Sequence, residues 1–331
     1  MELTTVWFAL IAILWAGYFL LEGFDFGVGI LLPVLGRDNR ERRLLINTIG
    51  PVWDGNEVWL LVAGGATFAA FPEWYATLFS GFYLPLLLIL VALIIRGVAF
   101  EYRGKRDDDR WRQRWDWCIV AGSLVPAVLW GVAFGNIVRG VKLDAGHEYV
   151  GGFFDLLNPY ALLGGLTTLV LFVLHGAVFL ALKTDGPMRE RAGRLAARIA
   201  PVAIVVAGGF LLWTGLAHHD AVGWVLMLGA ALTLVAGFLL ARVRREGWAF
   251  VATGATIVLA VFALFVTLFP NVMPSTLADA NSLTVHNASS TPYTLTVMTW
   301  VAACFTPLVL LYQGWTYWVF RKRLTVEKIP A

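Results

Sequence analysis

The chain is written as long apolar runs broken by short polar stretches. Nine runs lie at about 5–32, 49–70, 77–100, 115–136, 157–182, 200–217, 223–241, 248–269 and 292–320. Each is close to or above the ~20 residues that cross a ~30 Å hydrocarbon core as a helix. The pattern predicts an all-α integral membrane protein with about nine transmembrane helices. The first run follows Met1-Glu2 without a basic leader and is too long and continuous for a signal peptide, so it counts as a span. No stretch between the runs is long enough for a separate folded domain. The expectation is one polytopic membrane domain over 1–331.

Composition agrees with that pattern. Of 331 residues, 59% are hydrophobic and 14% charged, against about 25% charged in a soluble domain. Such a chain has no water-soluble way to hide its side chains, so the bilayer is its solvent. The net charge of +3 says little; the distribution of charge says more. Twenty-two of the 25 Lys and Arg fall in the connections 33–48, 101–114, 183–199 and 242–247 and in the tail after 320. The alternate connections, 71–76, 137–156, 218–222 and 270–291, hold only Arg139 and Lys142, and Arg96 lies near a helix end. Basic residues stay on the cytoplasmic side. The expected topology therefore has the N-terminus outside and the C-terminus in the cytoplasm.

Acidic residues inside the spans come next. Spans four to nine carry none in their interiors, with Asp116 at the inner edge of the fourth. The first two carry four: Glu22, Asp25, Asp54 and Glu57. Each pair is spaced i, i+3 and shares a helix face. At 1.5 Å per residue, both pairs lie roughly 10–15 Å in from the cytoplasmic end. The two helices are joined by a short connection, so the faces can meet. An ionised carboxylate at mid-membrane costs ~2.5–3.5 kcal/mol or more, and four together are not incidental. Two readings stay open: an interhelical hydrogen-bond cluster or contact to a partner's basic residue, and a proton or ion path. Glycines on both helices permit close approach, and Trp53 and Trp59 flank the second pair.

Of five histidines, His147, His218, His219 and His286 fall in expected outer connections, and only His175 sits in a span. Several haems within the membrane would need axial ligands from the spans, which one histidine cannot supply. Cys118 and Cys304 form no disulfide framework or C-x-x-C site and read as packing residues. No H-E-x-x-H, phosphate-binding glycine loop or C-x-x-C-H occurs. No metal site and no nucleic-acid partner is expected.

Several segments carry a family resemblance. They are Gly23-Phe24-Asp25-Phe26-Gly27-Val28-Gly29, the block ERRLLINTIGPVWDGNEVWLLVAGGATFAAFP at 41–72, FSGFY at 79–83, RGVAFEYR at 96–103, WDW at 115–117, GVAFGN at 131–136, NPYALLGGL at 158–166, FPNVMPS at 269–275 and LTVMTW at 295–300. The chain resembles subunit II of the bacterial cytochrome bd-type quinol oxidases over nearly its whole length. The W-D-G-N block after a basic connection is its most specific part.

The resemblance implies a multi-pass protein of the bacterial inner (cytoplasmic) membrane. It implies a complex that oxidises quinol near the outer face and reduces dioxygen to water without pumping protons. Haems b and d would be ligated by the larger partner, subunit I. No cofactor is assigned to this chain. Subunit II would be a scaffold for the haem subunit and part of the cytoplasmic proton path. The family's acidic path positions carry over to Asp25, Asp54 and Glu101, with Glu22 and Glu57 as further candidates. Glu101 stands where some relatives have Asp, which keeps the carboxylate and lengthens its reach. The connection at 218–222 is much shorter than in the longest members, so no role of that loop carries over. Small accessory membrane subunits, membrane quinone and lipids are the other implied partners.

An ion-coupled secondary transporter is the competing class, motivated by the same carboxylates and by glycine- and proline-interrupted helices. A reduced-minus-oxidised spectrum of the purified complex separates the two. A scaffold without a catalytic part would differ only in the behaviour of carboxylate mutants.

Overall fold

A computed structural model describes residues 2–329. The helices in chain order are α1 (Leu3–Leu35), α2 (Asn39–Ile49), α3 (Trp53–Ala70), α4 (Pro72–Gly81), α5 (Tyr83–Tyr102), α6 (Asp109–Arg139), α7 (Pro159–Lys183), α8 (Gly186–His218), α9 (Ala221–Arg242), α10 (Glu246–Leu268) and α11 (Pro292–Val319). Among the described residues, eight of them (α1 and α5 to α11) are long and apolar enough to cross a membrane. The second expected span is α3, with 18 residues. Asp54, Asn56 and Glu57 near its start make it less apolar than the others.

The connection expected at 33–48 is itself largely helical. Asp38 caps α2 by accepting from the Glu41 backbone N–H at 2.8 Å. Leu44, Leu45, Thr48 and Ile49 then form a buried stripe on that helix. The second and third runs are also interrupted. Gly50-Pro51 separates α2 from α3, and Phe82 separates α4 from α5; Pro72 starts α4, where its missing N–H costs nothing. Asn158 opens α7 in the same way, capping Ala161 N at 3.0 Å with Pro159 in the first turn.

α1 runs through the middle of the bundle and touches α2, α3, α6, α7, α10 and α11. It is buried along its length, from Trp7 and Ile11 through Tyr18, Glu22 and Asp25 to Leu35. Its closest neighbour is α7. A Cβ added at Gly27 would stand 2.8 Å from Gly176 Cα, and one at Gly176 would stand 2.6 Å from Gly27 Cα. The two backbones touch because neither position carries a side chain.

The connections gather at two ends. At one end β1 (Asn271–Met273) pairs antiparallel with β2 (Leu283–Thr284). Val141 bridges to Ser275 there, and Asn281 Nδ2 donates to Leu143 O at 2.9 Å. The N-terminal end of α1 lies beside them, with Trp7 Nε1 donating to Thr299 Oγ1 at 3.1 Å. The tail docks at the other end. Leu324 bridges to Thr184, Arg40 donates to Ile329 O at 2.9 Å, and Arg191 pairs with Glu41 at 2.5 Å. This grouping matches the alternation of basic and poorly basic connections in the sequence.

The candidate functional site: carboxylates around a buried arginine

The inner face of α1 presents Glu22 and Asp25, both 0% exposed. α5 brings Arg96 against them, also 0% exposed. One guanidinium nitrogen, Nη1, donates to Glu22 Oε2 and to Glu57 Oε1 of α3, each at 3.0 Å. The guanidinium lies over the rings of Phe26 and Phe100, 4.9 and 5.2 Å from their centroids. α5 can come this close because α6 carries Gly122, where a Cβ would meet Ala92 O at 2.7 Å.

A second set of contacts fixes Asp25. Asn56 Nδ2 of α3 donates to Asp25 Oδ2 at 2.6 Å. Asn56 Oδ1 accepts from the Tyr317 hydroxyl at 2.8 Å and from Gln313 Nε2 at 3.4 Å, both on α11. Trp59 Nε1 donates to Gln313 Oε1 at 2.9 Å. Glu22 Oε1, Asp25 Oδ1 and Arg96 Nε and Nη2 are buried without a hydrogen-bond partner among the described residues.

Charge arithmetic decides what this arrangement can do. Three carboxyls face one guanidinium. A buried charge left uncompensated is strongly unfavourable. The guanidinium balances one carboxylate, and the others are neutral only by holding protons. A cluster so built can take up and give up protons inside the membrane.

Glu22, Asp25 and Glu57 thus come together. Asp54 and Glu101 do not join them; both are exposed, with no hydrogen bond or ion pair among the described residues. The buried stripe of α3 runs through Asn56, Ala63, Thr67 and Ala70. Position 54 lies two residues from 56, about 160° round a helix of 3.6 residues per turn, and so faces outward. The same spacing turns Glu101 away from buried Ala99 on α5. Sequence reading passed over Arg96, Asn56, Gln313 and Tyr317. Arg96 carried a signal, being the one basic residue set apart from the charged connections. Asn56, Gln313 and Tyr317 carried none, because their role depends on α11 returning to α3.

A second ionic group closes the α2 end. Arg103 Nε contacts Asp116 Oδ1 at 2.5 Å, Arg42 reaches Asp116 Oδ2 at 3.0 Å, and Arg103 donates to Asn39 Oδ1 at 3.0 Å.

The imidazole within the spans is enclosed by side chains. His175, the imidazole within a span, bonds Thr253 Oγ1 through Nδ1 at 2.7 Å. Its ring stacks on Phe250 at 4.5 Å and 8°, and Phe24 closes another side at 6.0 Å. Nε2 is buried without a hydrogen-bond partner among the described residues. Among the described residues no group of three His, Cys, Asp or Glu is set to hold a metal. An apolar cavity of about 160 Å³ lies between α6 and α10, lined by Phe134, Thr168, Phe172, Phe210 and Ile257 among others.

Residues 3–320 match the family model described as cytochrome bd terminal oxidase subunit II. The chain belongs to the cytochrome bd oxidase subunit II family. The match takes in both helices of the cluster's core, α1 and α3, and also Arg96 and Tyr317. A relative from Bacillus subtilis (strain 168), named cytochrome bd ubiquinol oxidase subunit 2, is 44% identical and covers 98% of this chain and 97% of its own. One from Escherichia coli (strain K12), named cytochrome bd-I ubiquinol oxidase subunit 2, is 39% identical over 98% of this chain and 96% of its own. The fold is similar to that of a chain in the bd oxidase structure from Geobacillus thermodenitrificans. That likeness has a TM-score of 0.78 at 21% identity and covers 97% of this chain and 98% of that one. This subunit II family member carries a buried carboxylate–arginine cluster.

Proposed function

We propose that this chain is the subunit of a cytochrome bd-type quinol:oxygen oxidoreductase that ligates no haem. It holds the haem-bearing subunit I and supplies part of the proton path from the cytoplasm. The buried group of Glu22, Asp25, Glu57 and Arg96 carries this reading. Reduction of dioxygen to water consumes protons, and proton relays through membranes use intramembrane carboxylates. When bound in the partner, the haems supply the electron transfer and oxygen chemistry. This chain collects, holds and hands on protons.

In this reading Glu101, exposed near the basic end of α5, takes protons from water. Asp25 holds them in the interior. Asp54, on the outward side of α3, hands them toward subunit I. The outer side of α3 suits such a contact. Gly55, Gly64 and Gly65 have nothing within 4 Å of an added Cβ, and Leu61 and Phe68 are 72% and 60% exposed. Bare glycines admit a close helix from another subunit. The asymmetry of Lys and Arg supports an N-terminus outside and a C-terminus in the cytoplasm of a bacterial inner membrane.

The test is purification of the complex through a tag on this chain. A reduced-minus-oxidised spectrum with haem b and haem d bands, together with quinol-driven oxygen consumption, is expected. The chain expressed without subunit I is expected to carry no haem. Stoichiometric haem in the isolated chain, lost in His175→Ala, would overturn the division of labour.

A further inference from the structure

We infer that Trp59 sets the direction of a hydrogen-bond chain ending at Asp25, and so decides which oxygen of Asp25 carries a proton. The inference rests on the reading of Asp25 as a proton carrier.

An indole N–H only donates. Trp59 Nε1 donates to Gln313 Oε1 at 2.9 Å, which fixes how the Gln313 amide is turned. Its nitrogen, also donor only, then faces Asn56 at 3.4 Å. The Asn56 atom on that side must be the carbonyl oxygen, and the Tyr317 hydroxyl donates to the same atom at 2.8 Å. Asn56 is thereby obliged to point Nδ2 at Asp25 Oδ2, 2.6 Å away. Oδ2 faces a donor and accepts in either protonation state. A proton on Asp25 is confined to Oδ1, which is buried and has no partner among the described residues. The charged groups nearby, Glu22 on α1, Glu57 on α3 and Arg96 on α5, bond one another and not Oδ1.

Tyr317 cannot enforce this direction alone, because a phenol hydroxyl both donates and accepts. Without the indole N–H, the amides of Gln313 and Asn56 can both turn over. Asn56 would then offer its carbonyl to Asp25 Oδ2, and two acceptors at that distance require the proton to sit between them. The proton would move from Oδ1, the free side, to Oδ2, the side engaged by Asn56. Trp59 is thus a positioning residue for proton release.

The experiment is infrared difference spectroscopy on the purified, assembled complex of wild type, Asp25→Asn and Trp59→Phe. The band lost in Asp25→Asn assigns the protonated Asp25 carboxyl. In wild type its carbonyl is Oδ2, which accepts from Asn56. In Trp59→Phe the carbonyl becomes the unbonded Oδ1, so the band should move to higher wavenumber, with lowered turnover at unchanged haem content. Gln313→Met removes the same constraint at a half-buried position of α11 and should give the same upward shift, including where Trp59→Phe does not assemble. An Asp25 band at the wild-type position in assembled variants would overturn the inference and leave Asp25 as a proton carrier. No Asp25-dependent carboxyl band in wild type would instead overturn the proton-carrier reading itself.

Discussion

Arg96 holds the residue-scale argument together. It is buried and bonded to Glu22 and Glu57 through one nitrogen. Removing one partner of a buried ion pair costs about 3–5 kcal/mol, because the remaining charge is left uncompensated. Arg96→Gln should therefore lower thermal stability and complex yield, and adding Glu22→Gln should recover part of the loss. A double variant no more stable than Arg96→Gln would show that the pairing contributes nothing. Asp54 behaves differently in this account. It is exposed and unpaired among the described residues, so Asp54→Asn should leave stability unchanged while lowering quinol oxidase turnover by at least about tenfold, at or below the usual contribution of a proton-transferring group. Much of this site was legible in the sequence, since charge inside a membrane span is costly enough to be conspicuous. What the i, i+3 spacing did not reveal was which side of α3 faces inward. That depends on Asn56, an uncharged residue with no signal of its own until Asp25, Gln313 and Tyr317 surround it.

At the scale of elements, the approach of α1 to α7 decides whether the acidic face of α1 can stay in the core. Gly27 and Gly176 face each other with backbone atoms in contact. Gly176→Val should separate the helices and lower the melting temperature of the purified complex, whereas Gly208→Ala on α8, with nothing within 4 Å of an added Cβ, should not. Equal effects would remove the case for a special contact. The helices themselves were readable from their apolar runs, because a span must satisfy its own backbone and so must be helical. The breaks were harder to see. Residues 39–49 are polar enough to read as a connection, yet a cap at Asp38 and a stripe of Leu44, Leu45 and Ile49 make a short amphipathic helix. α3 pairs a polar start with an apolar end, so its hydropathy is diluted by the residues that matter most.

For the whole molecule, the two ends of the bundle collect opposite kinds of connection. The docked tail joins the strongly basic end through Leu324, Ile329 and Arg323. Single cysteines at Ala145 and Glu190 should report this in intact cells. Position 145 should react with an impermeant reagent and position 190 only after permeabilisation; the reverse pattern would invert the topology and with it the direction of the proton path. The central claim is that the buried cluster carries protons for a reaction whose haems lie in another subunit. Its most direct test is paired measurement of quinol oxidase turnover and haem content in Asp25→Asn. Asparagine keeps the size of the side chain and can still bond Asn56, but it cannot carry the proton. The account predicts turnover reduced by at least about tenfold with haem content near that of wild type. Full turnover with full haem would contradict it.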